Sequence, residues 1–306
     1  MTDAVAPAAP RKLTLVERLD AYERLMRLDK PIGTLLLLWP TLCALWFAAG
    51  GRPRGSLVLI FVVGTLVTRS AGCAMNDWAD RDYDAHVART AKRPLATREI
   101  APWEALMVAG VGGLLAFLLV LFTNRATMLW SVPALAIAIA YPFVKRVFAL
   151  PQAFLGIAFS FGIPMAYAAV LNRVPAIAWA YLVVNLFWVI AYDTEYAMVD
   201  RADDSKIGIR TSALTFGRFD VLAVAICYLA YLAGMAWLGR VAGQGIVYYV
   251  ALAVAAAQAA WHVGIIRTRD PAACFRAFLG NHWLGMTVFV GIVADDALRG
   301  RWPMHW

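Results

Sequence analysis

The chain has 306 residues, 62% of them hydrophobic, and a formal net charge of +8. So apolar a composition excludes an ordinary soluble domain, and the basic residues lie in loops between apolar runs, which points to membrane topology and away from nucleic acid. The four cysteines, Cys43, Cys73, Cys227 and Cys274, form no CxxC pair and give no sign of a zinc site or a disulfide framework.

Residues 1–10 are rich in Ala and Pro and read as a disordered tail, without the basic start and apolar core of a signal peptide. Leu13 to Lys30 is amphipathic. Leu15, Leu19, Tyr22, Leu25 and Met26 share one helical face, and Glu17, Arg18, Arg24 and Arg27 lie elsewhere. The pattern suits a helix in the membrane interface, and equally a short helix packed on a loop. Residues 1–30 are thus expected to form an N-terminal tail with an interfacial helix, and 31–306 a single transmembrane domain.

After Pro31 come nine apolar runs, at about 32–50, 56–76, 102–122, 127–144, 151–171, 175–197, 219–238, 245–266 and 276–295. Each approaches the roughly 20 residues that cross a bilayer. They predict an all-α integral membrane protein, a bundle of nine transmembrane helices around a central cavity. Pro133, Pro142, Pro151 and Pro164 interrupt the fourth and fifth runs. The N-terminal segment and the loops after runs two, four, six and eight carry 20 Lys/Arg; the opposite loops and the C-terminus carry 7, and Arg69 lies inside a run. Because basic loops stay in the cytoplasm, the N-terminus is expected there.

Two acidic stretches punctuate this pattern. NDWADRDYDAHVARTAKRP, Asn76 to Pro94, carries Asp77, Asp80, Asp82 and Asp84, followed by Arg89, Lys92 and Arg93. YDTEYAMVDRADD, Tyr192 to Asp204, carries Asp193, Glu195, Asp200, Asp203 and Asp204. Each ends an apolar run, and four runs separate them, so both fall on the same side. Each also has an Asp pair seven residues apart, which suggests two four-helix halves plus a ninth helix.

Asn76, Asp80 and Asp84 are spaced to line one helical face, with Asp77 close to it; Asp200 and Asp204 are again four apart, with Asp193 two turns earlier. Carboxylates at a membrane boundary need cations, and two facing helices of this kind suit Mg²⁺, which binds through a few hard oxygen ligands plus substrate phosphates. The expected metal ligands are Asn76, Asp77, Asp80, Asp84, Asp200 and Asp204. Lys30, Arg81, Lys92, Arg93, Lys145, Arg146, Lys206 and Arg210 are placed to hold the diphosphate oxygens. Asp82, Asp203 and Glu195 lie off the main faces and read as solvated charges. Loss of diphosphate from an allylic isoprenoid leaves a carbocation. An apolar cavity shields it from water, and the faces of Trp39, Trp46, Phe159, Phe161, Tyr167, Trp188 or Tyr192 can stabilise it. Either Asp193 or Asp200 could take up the proton released afterwards.

NDxxDxxxD at Asn76–Asp84 and YDTEYAMVDRADD at Tyr192–Asp204 resemble the two Asp-rich motifs of the UbiA-type intramembrane prenyltransferases. RLDKPIGTLLLLWPTLCALW (27–46), AGCAMNDWADRDYD (71–84), RTAKRPL (89–95), YPFVKR (141–146) and DDSKIGIRTSA (203–213) are most similar to the branch that prenylates 4-hydroxybenzoate for ubiquinone biosynthesis. The resemblance, over residues 20–295, implies nine transmembrane helices in a bacterial inner membrane. It also implies Mg²⁺ dependence and transfer of a polyprenyl group from polyprenyl diphosphate to the ring carbon ortho to the phenol hydroxyl. An anionic acceptor needs a cation when buried. Arg69, seven residues before Asn76, is the intramembrane candidate, with Arg27 a rival and Tyr192 nearby; Arg69 pairing structurally with an aspartate or helix carbonyls stays open. A soluble terpene synthase would lack the apolar runs, and a CDP-alcohol phosphotransferase would carry DGxxAR, which is absent. A membrane carrier would place its aspartates mid-run. A related prenyltransferase with another acceptor remains an alternative.

Overall fold

A computed structural model describes residues 13–84, 90–144, 151–207 and 210–300. These residues form helices and no strand: α1 (Leu15–Met26), α2 (Ile32–Ala48), α3 (Gly55–Asp84), α4 (Pro102–Leu121), α5 (Arg125–Val144), α6 (Pro151–Ser160), α7 (Gly162–Leu171), α8 (Ala176–Ile207), α9 (Ser212–Phe216), α10 (Asp220–Val241), α11 (Ile246–Ile266) and α12 (Pro271–Leu298). Most long helices pack on their neighbours in sequence, and α12 closes back on α2. The acidic helices α3 and α8 have largely separate neighbours: α3 packs on α1, α2, α4 and α5, and α8 on α6, α7, α9, α10 and α12, with α2 touching both.

Among the described residues, seven helical segments are long and apolar enough to cross a membrane. Helices lie at all nine expected positions, but Ile32–Ala48 and Arg125–Tyr141 are shorter than that measure, so seven of the nine expected spans reach it. The fifth run is broken. Pro164 has no N–H to donate to Ser160, so α6 stops at Ser160 and α7 restarts at Gly162. Two helices are longer than a bilayer needs. At 1.5 Å per residue, α3 and α8 reach roughly 45 and 48 Å against a hydrocarbon core of about 30 Å, so the end of each that bears the aspartates projects beyond the apolar zone.

The helix expected over the amphipathic N-terminal segment forms, opened by a capping box in which Glu17 N–H donates to Thr14 Oγ1 (3.3 Å) and Thr14 N–H to Glu17 Oε2 (2.8 Å). Its docked face differs from the expected stripe. Ala21 and Leu25 are fully buried against Ala74, Leu95, Ile100 and Ala105, whereas Leu15, Val16 and Leu19 stay exposed. Charges decide the difference. Arg18 (3.2 Å) and the Tyr22 hydroxyl both donate to Glu104 at the start of α4, and Arg24 pairs with Glu99. Burial works against the charge of Glu99, but hydrogen bonds from Arg24 and Thr97 outweigh it and hold its carboxyl below the usual range. The helix is therefore packed on the bundle and still offers three apolar side chains outward.

Candidate active site

The site is built at the projecting ends of α3 and α8. The α1 C-cap, Arg27, takes a left-handed conformation (φ 59°). That turn aims its guanidinium at Asp77, with Nη2 at 2.9 and 2.8 Å from the two carboxylate oxygens. Arg93, from the segment between α3 and α4, reaches the same carboxylate at 3.0 Å and also donates to both oxygens of Asp84, at 3.0 and 2.8 Å. Asp77 is 1% exposed and Asp84 6%. Burial lifts the Asp84 carboxyl above the usual carboxylate range; Asp77 and Asp80 push the same way, and Arg93 opposes them. Thr90 Oγ1 donates to the Asp84 carbonyl (2.7 Å) and ties the loop to the end of the helix.

This geometry gives several of the expected residues protein partners. Asp77, expected among the metal ligands, has both oxygens held by two guanidinium groups. Arg27, the rival for an acceptor carboxylate, is committed to Asp77, and Arg93 bridges Asp77 and Asp84. Asp80, and Asn76 one turn before it, lie half-buried on α3; on α8, Asp193 and Asp200 are half-buried and Asp204 is buried. Arg81 lies over the Trp78 ring (5.0 Å) and donates to the Trp78 carbonyl (2.7 Å). Lys206 is exposed and paired with Asp203 (3.2 Å), while Lys30, Lys92 and Arg210 are exposed. Lys145 and Arg146 lie outside the described residues.

Tyr141 of α5 lies within Coulombic reach of Asp80 of α3, Asp193 of α8 and Arg69. Tyr192 likewise feels Asp193, Arg69 and Tyr141; it is 1% exposed and its hydroxyl has no hydrogen-bond partner. Arg69 lies one to two turns deeper in α3, its guanidinium over the Phe159 ring (5.8 Å) and its Nε unpartnered. It lies against α2, where a Cβ on Gly33 would fall 2.7 Å from Nη2 and would displace the guanidinium. Tyr141 sits in a stretch quoted for its resemblance, but its part in the site was not read from sequence, and neither was that of Gly33.

Beneath Arg69 and Phe159, toward the N-terminal end of α3, lies a cavity of about 170 Å³. Leu37, Phe61, Phe159, Phe161 and Met165 line it, together with threonines. Thr41, Thr68 and Thr123 turn their hydroxyls to carbonyls of their own helices, so the wall is effectively apolar. Of the seven aromatics expected to face a cation, Phe159 and Phe161 line this cavity. Trp39 and Trp46 pack on Phe289, and Trp188 stacks on Tyr231.

Glu195 is not a solvated charge. It is 0% exposed and bonded to Tyr228 and Asn281 on the far side of α8. Its spacing of two from Asp193 turns it about 200° away from the carboxylate face, and a hydrogen-bonded burial there leaves no trace in a list of acids. Asp82 behaves as expected, with a side chain 74% exposed. Among the described residues no three His, Cys, Asp or Glu side chains converge closely enough to hold an ion unaided. Hard oxygen donors divided between two helices still fit Mg²⁺, which draws its remaining ligands from phosphate and water.

The profile of the UbiA prenyltransferase family matches residues 37–285. The chain is 59% identical over 285 residues to a 4-hydroxybenzoate octaprenyltransferase from Cupriavidus necator, covering 93% of this chain and 100% of that one. It is 60% identical over 282 residues to the enzyme of that name from Ralstonia nicotianae, covering 92% and 97%. Among solved structures it resembles the apo structure of a UbiA homolog from Aeropyrum pernix K1, with a TM-score of 0.75 and 25% identity over 86% of this chain and 98% of that one. It also resembles a UbiA homolog from Archaeoglobus fulgidus bound to GPP and Mg²⁺, with a TM-score of 0.69 and 17% identity over 90% and 99%.

Removing one partner from a buried ion pair costs about 3–5 kcal/mol. Asp77→Ala, which strands Arg27 and leaves Arg93 only Asp84, should therefore lower the thermal unfolding midpoint of the detergent-solubilised protein, whereas Asp82→Asn should leave it unchanged. Equal midpoints for the two variants would refute the clasp.

Proposed function

The chain belongs to the UbiA prenyltransferase family, and from that premise we propose that it transfers a polyprenyl group from a polyprenyl diphosphate to the ring carbon ortho to the hydroxyl of 4-hydroxybenzoate. Diphosphate is released, and the product enters ubiquinone biosynthesis. The observation that carries this reading is full-length identity of 56–60% to enzymes of that activity. It is supported by a site that joins carboxylates, a half-buried arginine and an apolar cavity.

In this reading Asn76, Asp80 and Asp84 of α3 and Asp200 and Asp204 of α8 hold Mg²⁺ and the diphosphate. When bound, Mg²⁺ neutralises charge that develops on the departing diphosphate. Arg81, Lys92, Arg93, Lys206 and Arg210 supply donors to the remaining phosphate oxygens, and Lys145 and Arg146, outside the described residues, are assigned the same role. The cavity below Phe159 takes the start of the prenyl chain and keeps water from the allylic cation. Arg69 pairs with the acceptor carboxylate, and Tyr192, whose hydroxyl has no protein partner, faces the acceptor. After attack on the cation, Asp193 or Asp200 takes the ring proton. We also infer nine membrane spans, with both acidic helix ends and the N-terminus in the cytoplasm, from the 20-to-7 division of basic residues.

Purified protein given 4-hydroxybenzoate, octaprenyl diphosphate and Mg²⁺ should form the ortho-prenylated acid and one diphosphate per product; diphosphate release without a new carbon–carbon bond would refute the activity. Asp80→Asn, Asp84→Asn, Asp200→Asn or Asp204→Asn should each cut turnover by about a hundredfold or more. Arg69→Ala should raise the KM for 4-hydroxybenzoate far more than that for the prenyl diphosphate, with partial rescue by Arg69→Lys; equal rises would place the acceptor elsewhere.

For topology, a cysteine at exposed Thr268 should react with an impermeant thiol reagent from the cytoplasmic face, and one at exposed Arg173 from the opposite face. Reaction of both from one face would overturn the span count.

A further inference from the structure

Behind α8, away from the proposed site, five buried polar side chains from four helices are joined. Asn281 of α12 donates through Nδ2 to Glu195 Oε2 (2.8 Å) and accepts at Oδ1 from Trp188 Nε1 (2.9 Å). The Tyr228 hydroxyl of α10 lies 2.9 Å from Glu195 Oε1, 2.9 Å from Asn281 Oδ1 and 3.0 Å from His262 Nδ1 of α11. Trp188, Glu195, Tyr228, His262 and Asn281 are all at most 2% exposed.

Two features show what the cluster does. Trp188 and Glu195 are seven residues apart, so they lie on nearly the same line of α8, about 20° out of register after two turns. One amide, Asn281, grips both. A helix held at two points two turns apart can neither rotate nor slide. The second feature is direction: Asp193, Asp200 and Asp204 lie on the opposite side of α8, roughly 140–180° around its axis from Glu195. Between helices in a membrane the hydrophobic effect does not fix rotation, because lipid is as apolar as leucine, and interhelical hydrogen bonds do so instead. The partners that the structure gives Glu195, Tyr228 and Asn281, are neutral, so the arrangement uses its shape and hydrogen bonds and not its charge.

We propose that Asn281, gripping Glu195 and Trp188, is a register clamp that sets the rotation of α8, which makes Glu195 a positioning residue in spite of its place inside an Asp-rich motif. The clamp aims the second carboxylate set at the diphosphate; that consequence, though not the clamp itself, rests on the function proposed above. Because the clamp needs only an acceptor and a fit, Glu195→Gln preserves it. Asn281→Leu and Glu195→Leu abolish it.

The test separates the two claims. Cysteines at Ala202, on the line of Trp188 and Glu195, and at Thr268 are both exposed, whereas the four native cysteines are buried. Spin labels at the two sites report the rotation of α8 against the α11–α12 loop in full-length protein. Wild type and Glu195→Gln should give one narrow distance distribution, and Asn281→Leu and Glu195→Leu a shifted or broadened one. An unchanged distribution in both leucine variants, or one in Glu195→Gln as broad as theirs, overturns the clamp. On the same samples, affinity for Mn²⁺ with inorganic diphosphate should fall by about tenfold or more in the leucine variants, as when an outer support of a metal ligand is removed, and hold in Glu195→Gln. Changed distances with unchanged affinity would keep the clamp and refute the placing of the metal on α8.

Discussion

A carboxylate at the edge of a membrane bundle persists only where cations hold it, and two such carboxylates organise this protein. Asp77 is held by Arg27 and Arg93, and Asp220, also fully buried, by Arg201 (2.6 Å) and Arg269 (2.8 Å). The devices are alike in detail. In each, one arginine comes from a left-handed backbone position in a turn between helices, Arg27 at φ 59° and Arg269 at φ 53°. Through Asp77 the first clasp joins α1, α3 and the α3–α4 loop. Through Asp220 the second joins α8, α10 and the α11–α12 turn. Both acidic helices are thus anchored by buried ion pairs beside the carboxylates of their Asp-rich stretches.

The division of labour along α3 follows from depth. Asp77 and Asp84 are buried and paired, Asp82 faces water, and Arg69 lies below them against Gly33 and Phe159. Below that level the polar groups bond to their own helices and the cavity wall becomes apolar. A diphosphate head and an isoprenoid tail demand the same order, charge above and hydrocarbon below. The long helices make it possible, since only an element longer than the bilayer core can carry carboxylates out to where divalent cations are hydrated.

Much of this was legible in the sequence, for identifiable reasons. Hydrophobic runs located every long helix because membrane burial demands unbroken apolarity, and the i, i+4 spacing of the aspartates survives in any helix. What failed was partner assignment. Asp77 lies three residues from Asp80 and carries the same charge, so spacing alone could not show that Arg27, fifty residues earlier, would take it. Glu195 lies within an Asp-rich stretch, and only its contacts across to α10 and α12 reveal it as packing. The docked face of α1 was misjudged because Arg18 and Arg24 fix its rotation through Glu104 and Glu99, which hydrophobic pattern cannot register. Tyr141 and Gly33 matter through what lies opposite them, and nothing local marks them.

The central claim is that α3 and α8 act on one metal–diphosphate group although they are separated in the ring of helices. A double-mutant cycle on the affinity for Mg²⁺ with inorganic diphosphate, using Asp80→Asn, Asp200→Asn and the pair, tests it most directly. Shared ligation predicts a coupling energy of about 1 kcal/mol or more, and additivity to within about 0.5 kcal/mol would show that the two carboxylates serve separate sites.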